Sequence, residues 1–407
     1  MYIQKHPGDA CAGGASAEER MLANIRRSAL FQILGGSLGF LMPTIMLLWR
    51  GAGLSFLEIT TLQAAFSLIL TAFDAPTGSL ADRLGRKPAL MMATALLTAG
   101  AAVYGLADSF AGFLAAEALL GVGFAFASGA DQALLYDSLL ALGRKDDFGA
   151  TWGRQKAAAL VSGAVCCALG GLAGAVNLRF PCYLTLAGTA TALILSCSFN
   201  EPVASACSRK RSVHGQIVET FSACLLRTDR LRWLFAYPAL LGAFLQLGLW
   251  TYQPLFELGG IAVEYYGLLF AAFNLAAAAS SRYAIRIEKS LTGYAALIAP
   301  LIVLSASYCL LACFSAKYAV AFVLAQQLVR GYVLVVFSEK LNRAADSELR
   351  ATALSLQSTG VRLVYAALLL PMGLLMDSAG IAGALLALGL ICLPAGLLTL
   401  GLFRARS

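Results

Sequence analysis

Charge is scarce in this chain. Asp, Glu, Lys and Arg make up 13% of its 407 residues, against about 25% in an ordinary soluble domain. A folded surface of this size needs more polar cover than that. A water-soluble enzyme, a secreted module and a disordered chain are therefore excluded. Histidine is scarcer still: His6 and His214 are the two, both in polar segments, so no apolar stretch carries an imidazole. The ten cysteines include no CxxC spacing, and no histidine lies near any close pair of them. That argues against a metal or disulfide framework, and they read as small packing residues. The first 24 residues are polar and small, with no apolar core behind a basic start, so no cleavable signal is expected.

What is plentiful is apolar sequence, at 59% of residues with a mean hydropathy of +0.76. Continuous apolar runs fall at about 27–49, 55–78, 88–107, 110–140, 154–176, 180–199, 231–256, 262–284, 291–315, 318–338, 351–376 and 381–403. Each is long enough to cross a bilayer as a helix, and none alternates as a barrel strand would. The fold class expected is an all-α polytopic membrane protein, with twelve transmembrane helices in two six-helix bundles. The domains are expected at 27–199 and 231–403, with a linker at 200–230 and short tails at 1–26 and 404–407. The linker contains Arg209-Lys210-Arg211 and an amphipathic run from Ile217 to Leu226, which suits a helix lying on the membrane surface.

Basic residues orient the chain. With both termini cytoplasmic, 25 of the 30 Lys and Arg residues fall on the inner side, and only Arg50, Arg179 and Lys317 fall outside. That asymmetry is the positive-inside pattern. The net charge of +8 thus reflects topology, and no nucleic-acid partner is expected.

Between the second and third runs the sequence reads Gly78-Ser79-Leu80-Ala81-Asp82-Arg83-Leu84-Gly85-Arg86-Lys87. It resembles the G-x-L-A-D-R-x-G-R-K signature of the major facilitator superfamily at every fixed position. Gly78 and Gly85 would supply the backbone freedom of a short turn. The resemblance implies a conformational latch built from Gly78, Asp82, Arg83, Gly85, Arg86 and Lys87. Asp82 would contact the start of span eleven near Ala351, and an arginine would pair with Asp137. Ser128 to Leu139 and Arg350 to Ser355 resemble segments of bacterial drug:proton antiporters. Span five departs from the antiporter pattern, because Ser162 to Gly171 contains glycines but no proline.

The remaining signal lies in charges within spans, which are costly and hence candidates for function. Arg330 and Arg362 fall near mid-span, where an anionic substrate, a buried acid or unwound backbone are all suitable partners. Asp131 is the first proton-coupling candidate, with Asp74 and Glu117 next; permanent structural pairing of Asp131 is the alternative. The spacing of Glu117 and Asp131 places them on one helical face, with Asp137 pointing elsewhere. Gln32, Gln246, Trp250, Tyr252 and Asn274, with Gln63, Gln253 and Gln326, are candidates for a mixed polar and aromatic cavity.

The expectation is therefore a secondary transporter of the bacterial inner membrane, exporting a small organic molecule and drawing on the proton gradient without a cofactor. Its partners would be that molecule, protons and the lipid bilayer, and it would act as a monomer. Import of an organic anion or nutrient is the alternative, and a non-transporting scaffold or sensor a second. No nucleophile–base pair, metal-ligand set or phosphate loop points to an enzyme.

Overall fold

The computed structural model describes residues 10–202, 229–291, 293–314, 318–344 and 350–404. The amphipathic run at 217–226, both histidines and the basic triplet at 209–211 lie outside them. The first long helix, α1 (Ala10–Gly35), continues as a 3-10 turn (Gly36–Phe40) and then α2 (Ile45–Gly51). Next come α3 (Phe56–Leu84), α4 (Arg86–Leu106), α5 (Phe110–Ala127), α6 (Ala130–Ala141), α7 (Phe148–Val176) and α8 (Phe180–Cys197). The second half has α9 (Asp229–Leu258), α10 (Tyr266–Ser290), α11 (Ala295–Cys313), α12 (Ala319–Ala344), α13 (Arg350–Ser378) and α14 (Gly380–Arg404).

Ten spans are long and apolar enough to cross a membrane, one of them α5 and α6 together, and α1 with α2 forms an eleventh, bent by about 40°. The 30-residue α9 has the length for a twelfth, at about 1.5 Å per residue.

Local chemistry explains the helix ends. At the start of α3 the Ser55 hydroxyl accepts from the Glu58 N–H at 3.1 Å, and the Glu58 carboxylate accepts from the Ser55 N–H at 2.8 Å. This reciprocal capping box satisfies two otherwise orphaned donors. Two spans are broken. In the first, Pro43 has no N–H to give, and the helix lapses between Phe40 and Ile45. In the fourth, Gly129 adopts φ +81°, a left-handed conformation natural to glycine, and divides α5 from α6.

That second break corrects the expectation that Glu117 and Asp131 share a helical face. They sit on separate helices, so a register counted along one helix does not carry across. The loop motif also differs from its sequence reading. Gly78 lies inside α3 with a negative φ and open space around it, and only Gly85, at φ +108°, makes the turn.

Helices α1 to α8 pack as one bundle and α9 to α14 as another. The halves meet along two seams, α3 against α13 and α7 against α10. The ends of the molecule are designated by their turns: the Gly53 end, where α2 hands over to α3, and the Gly85 end, where α3 hands over to α4.

Candidate functional site: a cavity at the seam between the halves

A cavity of about 450 Å³ lies in the portion of the bundle toward the Gly85 end. Its wall comes almost wholly from the first half, with Phe31, Leu97, Phe124 and Trp152 among its apolar surfaces, and Arg362 of α13 enters from the second. Asp131, at the first turn of α6, accepts from the Gln32 amide at 2.7 Å and lies 3.6 Å from the Lys156 ammonium. Lys156 also donates to the Gln32 carbonyl oxygen at 3.0 Å and lies 4.2 Å from the centre of the Trp152 ring. Asp131, Gln32 and Lys156 thus form a closed polar triad on three helices. Sequence reading credits Lys156 only with orienting the chain. A lysine inside an apolar run, at its third residue, was the signal for more.

Arg362 faces Asp74 of α3 across the seam. Both terminal guanidinium nitrogens approach the same carboxylate oxygen, at 3.3 and 3.4 Å. The Arg362 backbone carbonyl also accepts from the Ser67 hydroxyl at 3.1 Å. The structure therefore gives this arginine an acidic partner.

Glu117 lies away from the cavity. It is 4% exposed and accepts from the Gln63 amide at 2.9 Å and from the Tyr104 hydroxyl. Among the described residues it has no cationic partner. Tyr104 packs on Phe113 and Trp49, and Trp49 meets Trp250 of the other half with ring centres 5.6 Å apart. The Trp250 indole N–H in turn donates to the Tyr365 hydroxyl at 2.5 Å. Trp250 is therefore part of an aromatic seal rather than the cavity wall.

The seal continues to the Gly53 end. Gln253 accepts from the Met46 N–H at 3.0 Å and donates to the Met42 carbonyl at 2.8 Å. It satisfies backbone groups that the break at Pro43 leaves without helical partners, which inside a membrane must find some partner. Asp377, near the end of α13, accepts from the Phe56 and Leu57 N–H groups at 2.9 and 2.8 Å. A carboxylate from one half thus caps the first turn of a helix in the other, where the helix dipole favours negative charge.

The remaining predicted residues stand apart from the cavity wall. Arg330 donates to Asn274 at 2.7 Å and makes no ion pair among the described residues. The Tyr252 hydroxyl donates to Gln326 at 2.8 Å and accepts from Gln327 at 3.0 Å. Gln246 is exposed and joins neither group.

At the Gly85 end, Arg86 joins Asp82 at 2.6 Å and Asp137 at 3.6 Å, so the expected arginine–Asp137 pairing is present. Asp82, 53% exposed, is held within its own loop, while Arg83 is exposed. The side chains at the start of α13, near Ala351, lie outside the described set. Sequence reading missed Glu201, whose carboxylate accepts from the Arg86 and Lys87 N–H groups at 2.6 and 2.8 Å. A Cβ on Gly85 would stand 2.8 Å from that carboxylate. Gly85→Ala is expected to lower stability by about 1–3 kcal/mol through the positive φ and the displaced cap. Thermal unfolding of the purified protein reads this, and a variant as stable as its parent would contradict it.

A two-bundle, membrane-length helical fold, with a largely apolar cavity walled by the first half and entered by Arg362 of the second, defines a polytopic membrane transporter. The family model of the Major Facilitator Superfamily matches residues 28–333, and the chain belongs to that superfamily. Solved structures agree in fold. The nucleoside transporter NupG aligns with a TM-score of 0.75 at 12% identity, over 94% of this chain and 99% of that one. A bacterial homologue of the human lysosomal transporter Spinster, inward-facing and unoccupied, gives 0.74 at 14% identity over 95% and 98%. The human organic anion transporter MFSD10 gives 0.61 at 18% identity over 94% and 99%. No curated protein matches the chain.

Proposed function

We propose that this transporter works by alternating access as a monomer in a bacterial inner membrane, coupling export of a small organic molecule to proton entry. The observation that carries the reading is the pairing of a cavity toward the Gly85 end with a closed seam at the Gly53 end. The surplus of Lys and Arg assigns the Gly85 end to the cytoplasm, which makes this an inward-facing state. The likeness to an inward-facing structure supports that assignment. Direction rests on the antiporter-like segments 128–139 and 350–355.

The proton carrier in this reading is Glu117, ahead of Asp131 and Asp74. Asp131 is matched to Lys156 and Asp74 to Arg362, whereas Glu117 is a buried carboxyl facing only neutral donors. A proton is the cation able to neutralise it there.

Membrane vesicles test direction and coupling together. Everted vesicles with an acidic lumen are expected to accumulate substrate from a labelled-metabolite panel, and a protonophore to abolish it. Accumulation in right-side-out vesicles instead would reverse the direction. The absence of any gradient-dependent flux would remove the transport reading.

A further inference from the structure

We propose that the substrate is a small organic anion with an apolar body, and that its anionic group binds Arg362 by displacing Asp74. The inference deepens the transport reading above and rests on it.

Three charged side chains line the cavity: Asp131, Lys156 and Arg362. The first two are engaged with each other and with Gln32, whose amide oxygen and nitrogen are both used. Arg362 is the lining charge whose partners, Asp74 and the Ser358 hydroxyl at 3.3 Å, lie outside the lining, and the lining set carries one net positive charge. Its resident partner, Asp74, is not part of the lining.

The geometry of that partnership is poor. A charge-assisted N–H···O bond is about 2.7–2.9 Å long, and a guanidinium is best met by two oxygens side by side. Here two nitrogens share one oxygen at 3.3 and 3.4 Å. A carboxylate, sulfonate or phosphonate arriving through the cavity can approach both nitrogens in the parallel fork that Asp74 does not make. The apolar wall of Phe31, Leu97, Phe124 and Trp152 asks for a hydrophobic body behind the anion. The volume of about 450 Å³ is that of a small-molecule pocket.

The exchange also has a conformational result. Asp74 is on α3 and Arg362 on α13, so an anion that takes the guanidinium cuts an ionic tie between the halves on the cavity side. The tie on this side is absent while the anion is bound and can reform when it leaves.

The test uses four probes sharing one body: phenylacetate, phenethylamine, phenylalanine and benzyl alcohol. Binding to the purified full-length protein is measured by isothermal titration and by the shift in unfolding temperature. Phenylacetate is expected to bind and stabilise more than the other three. Asp74→Asn is expected to tighten it and Arg362→Gln to weaken it, each by about ten- to hundredfold, the range for one charge-assisted contact. The gain in Asp74→Asn cannot come from misfolding. Preference for the amine, the zwitterion or the alcohol overturns the anion assignment, as does binding of none. Phenylacetate affinity that falls in Asp74→Asn overturns the displacement. Vesicle flux is read separately: binding as expected without flux of any compound would sink the transport reading and leave the anion site standing.

Discussion

Proteoliposomes carrying Glu117→Gln are expected to exchange labelled substrate across the membrane while failing to concentrate it on an imposed proton gradient. Gradient-driven accumulation should fall to the level of protein-free vesicles. The substitution keeps the size and shape of the side chain and removes its capacity to carry a proton. One oxygen accepts from both Gln63 and Tyr104 and the amide keeps such an oxygen, so the structural cost is the lost charge assistance of those bonds, on the order of 1 kcal/mol. Exchange at equal pH on both sides separates the two effects, because it needs the alternation of the halves but no net proton movement. Glu117 is placed to influence that alternation through Tyr104, Trp49 and Trp250, a line of ring contacts crossing the seam. Proton-driven accumulation that survives in Glu117→Gln but disappears in Asp131→Asn would move the role to Asp131.

Legibility in the sequence followed the range of the interactions. The apolar spans and the superfamily decamer depend on hydropathy and on residues adjacent in the chain, and these were readable. So was the approach of an arginine in the decamer to Asp137. The depth of Arg362 marked it as a candidate, but its partner could not be chosen among several buried acids. What escaped was set by residues brought together from distant segments. Glu201 and Asp377 look like ordinary acids at the ends of apolar runs, yet each caps a helix more than 100 positions away in sequence. Gln253 reads as a cavity group and instead completes the backbone of a broken helix in the other half. The error at Glu117 and Asp131 was local: the run 110–140 reads as one continuous helix, whereas the positive φ at Gly129 ends one helix and begins another.

Replacing Gly267 or Gly373 by alanine is expected to open the Gly53 end and so depopulate the inward-facing state. Both glycines lie on the seams between the halves. A Cβ on Gly267 would stand 2.0 Å from the Cys167 carbonyl oxygen, and one on Gly373 would stand 2.0 Å from the Thr60 hydroxyl and 2.8 Å from the Leu57 Cα. Gly171 closes the first crossing from the opposite side, where an added Cβ would meet the Gly267 nitrogen at 2.6 Å. These partners are mostly backbone, so no side-chain rotation makes room and the helices themselves have to part. Overpacking of this kind costs about 1–3 kcal/mol, enough to shift a two-state population by roughly 5- to 150-fold. In the alternative state this end is apart and the added methyl meets nothing, so the penalty falls on one state only. Electron-spin distances between labels at Arg50 and Ala379, across the Gly53 end, should lengthen in either variant, and labelled-substrate exchange should slow. Asp377→Asn should act in the same direction but more weakly, because it reduces only the charge of one helix cap. Unchanged distances with a lowered unfolding temperature would mean that the glycines serve packing in both states. That outcome would remove the Gly53 end from the alternating-access cycle proposed for this cavity.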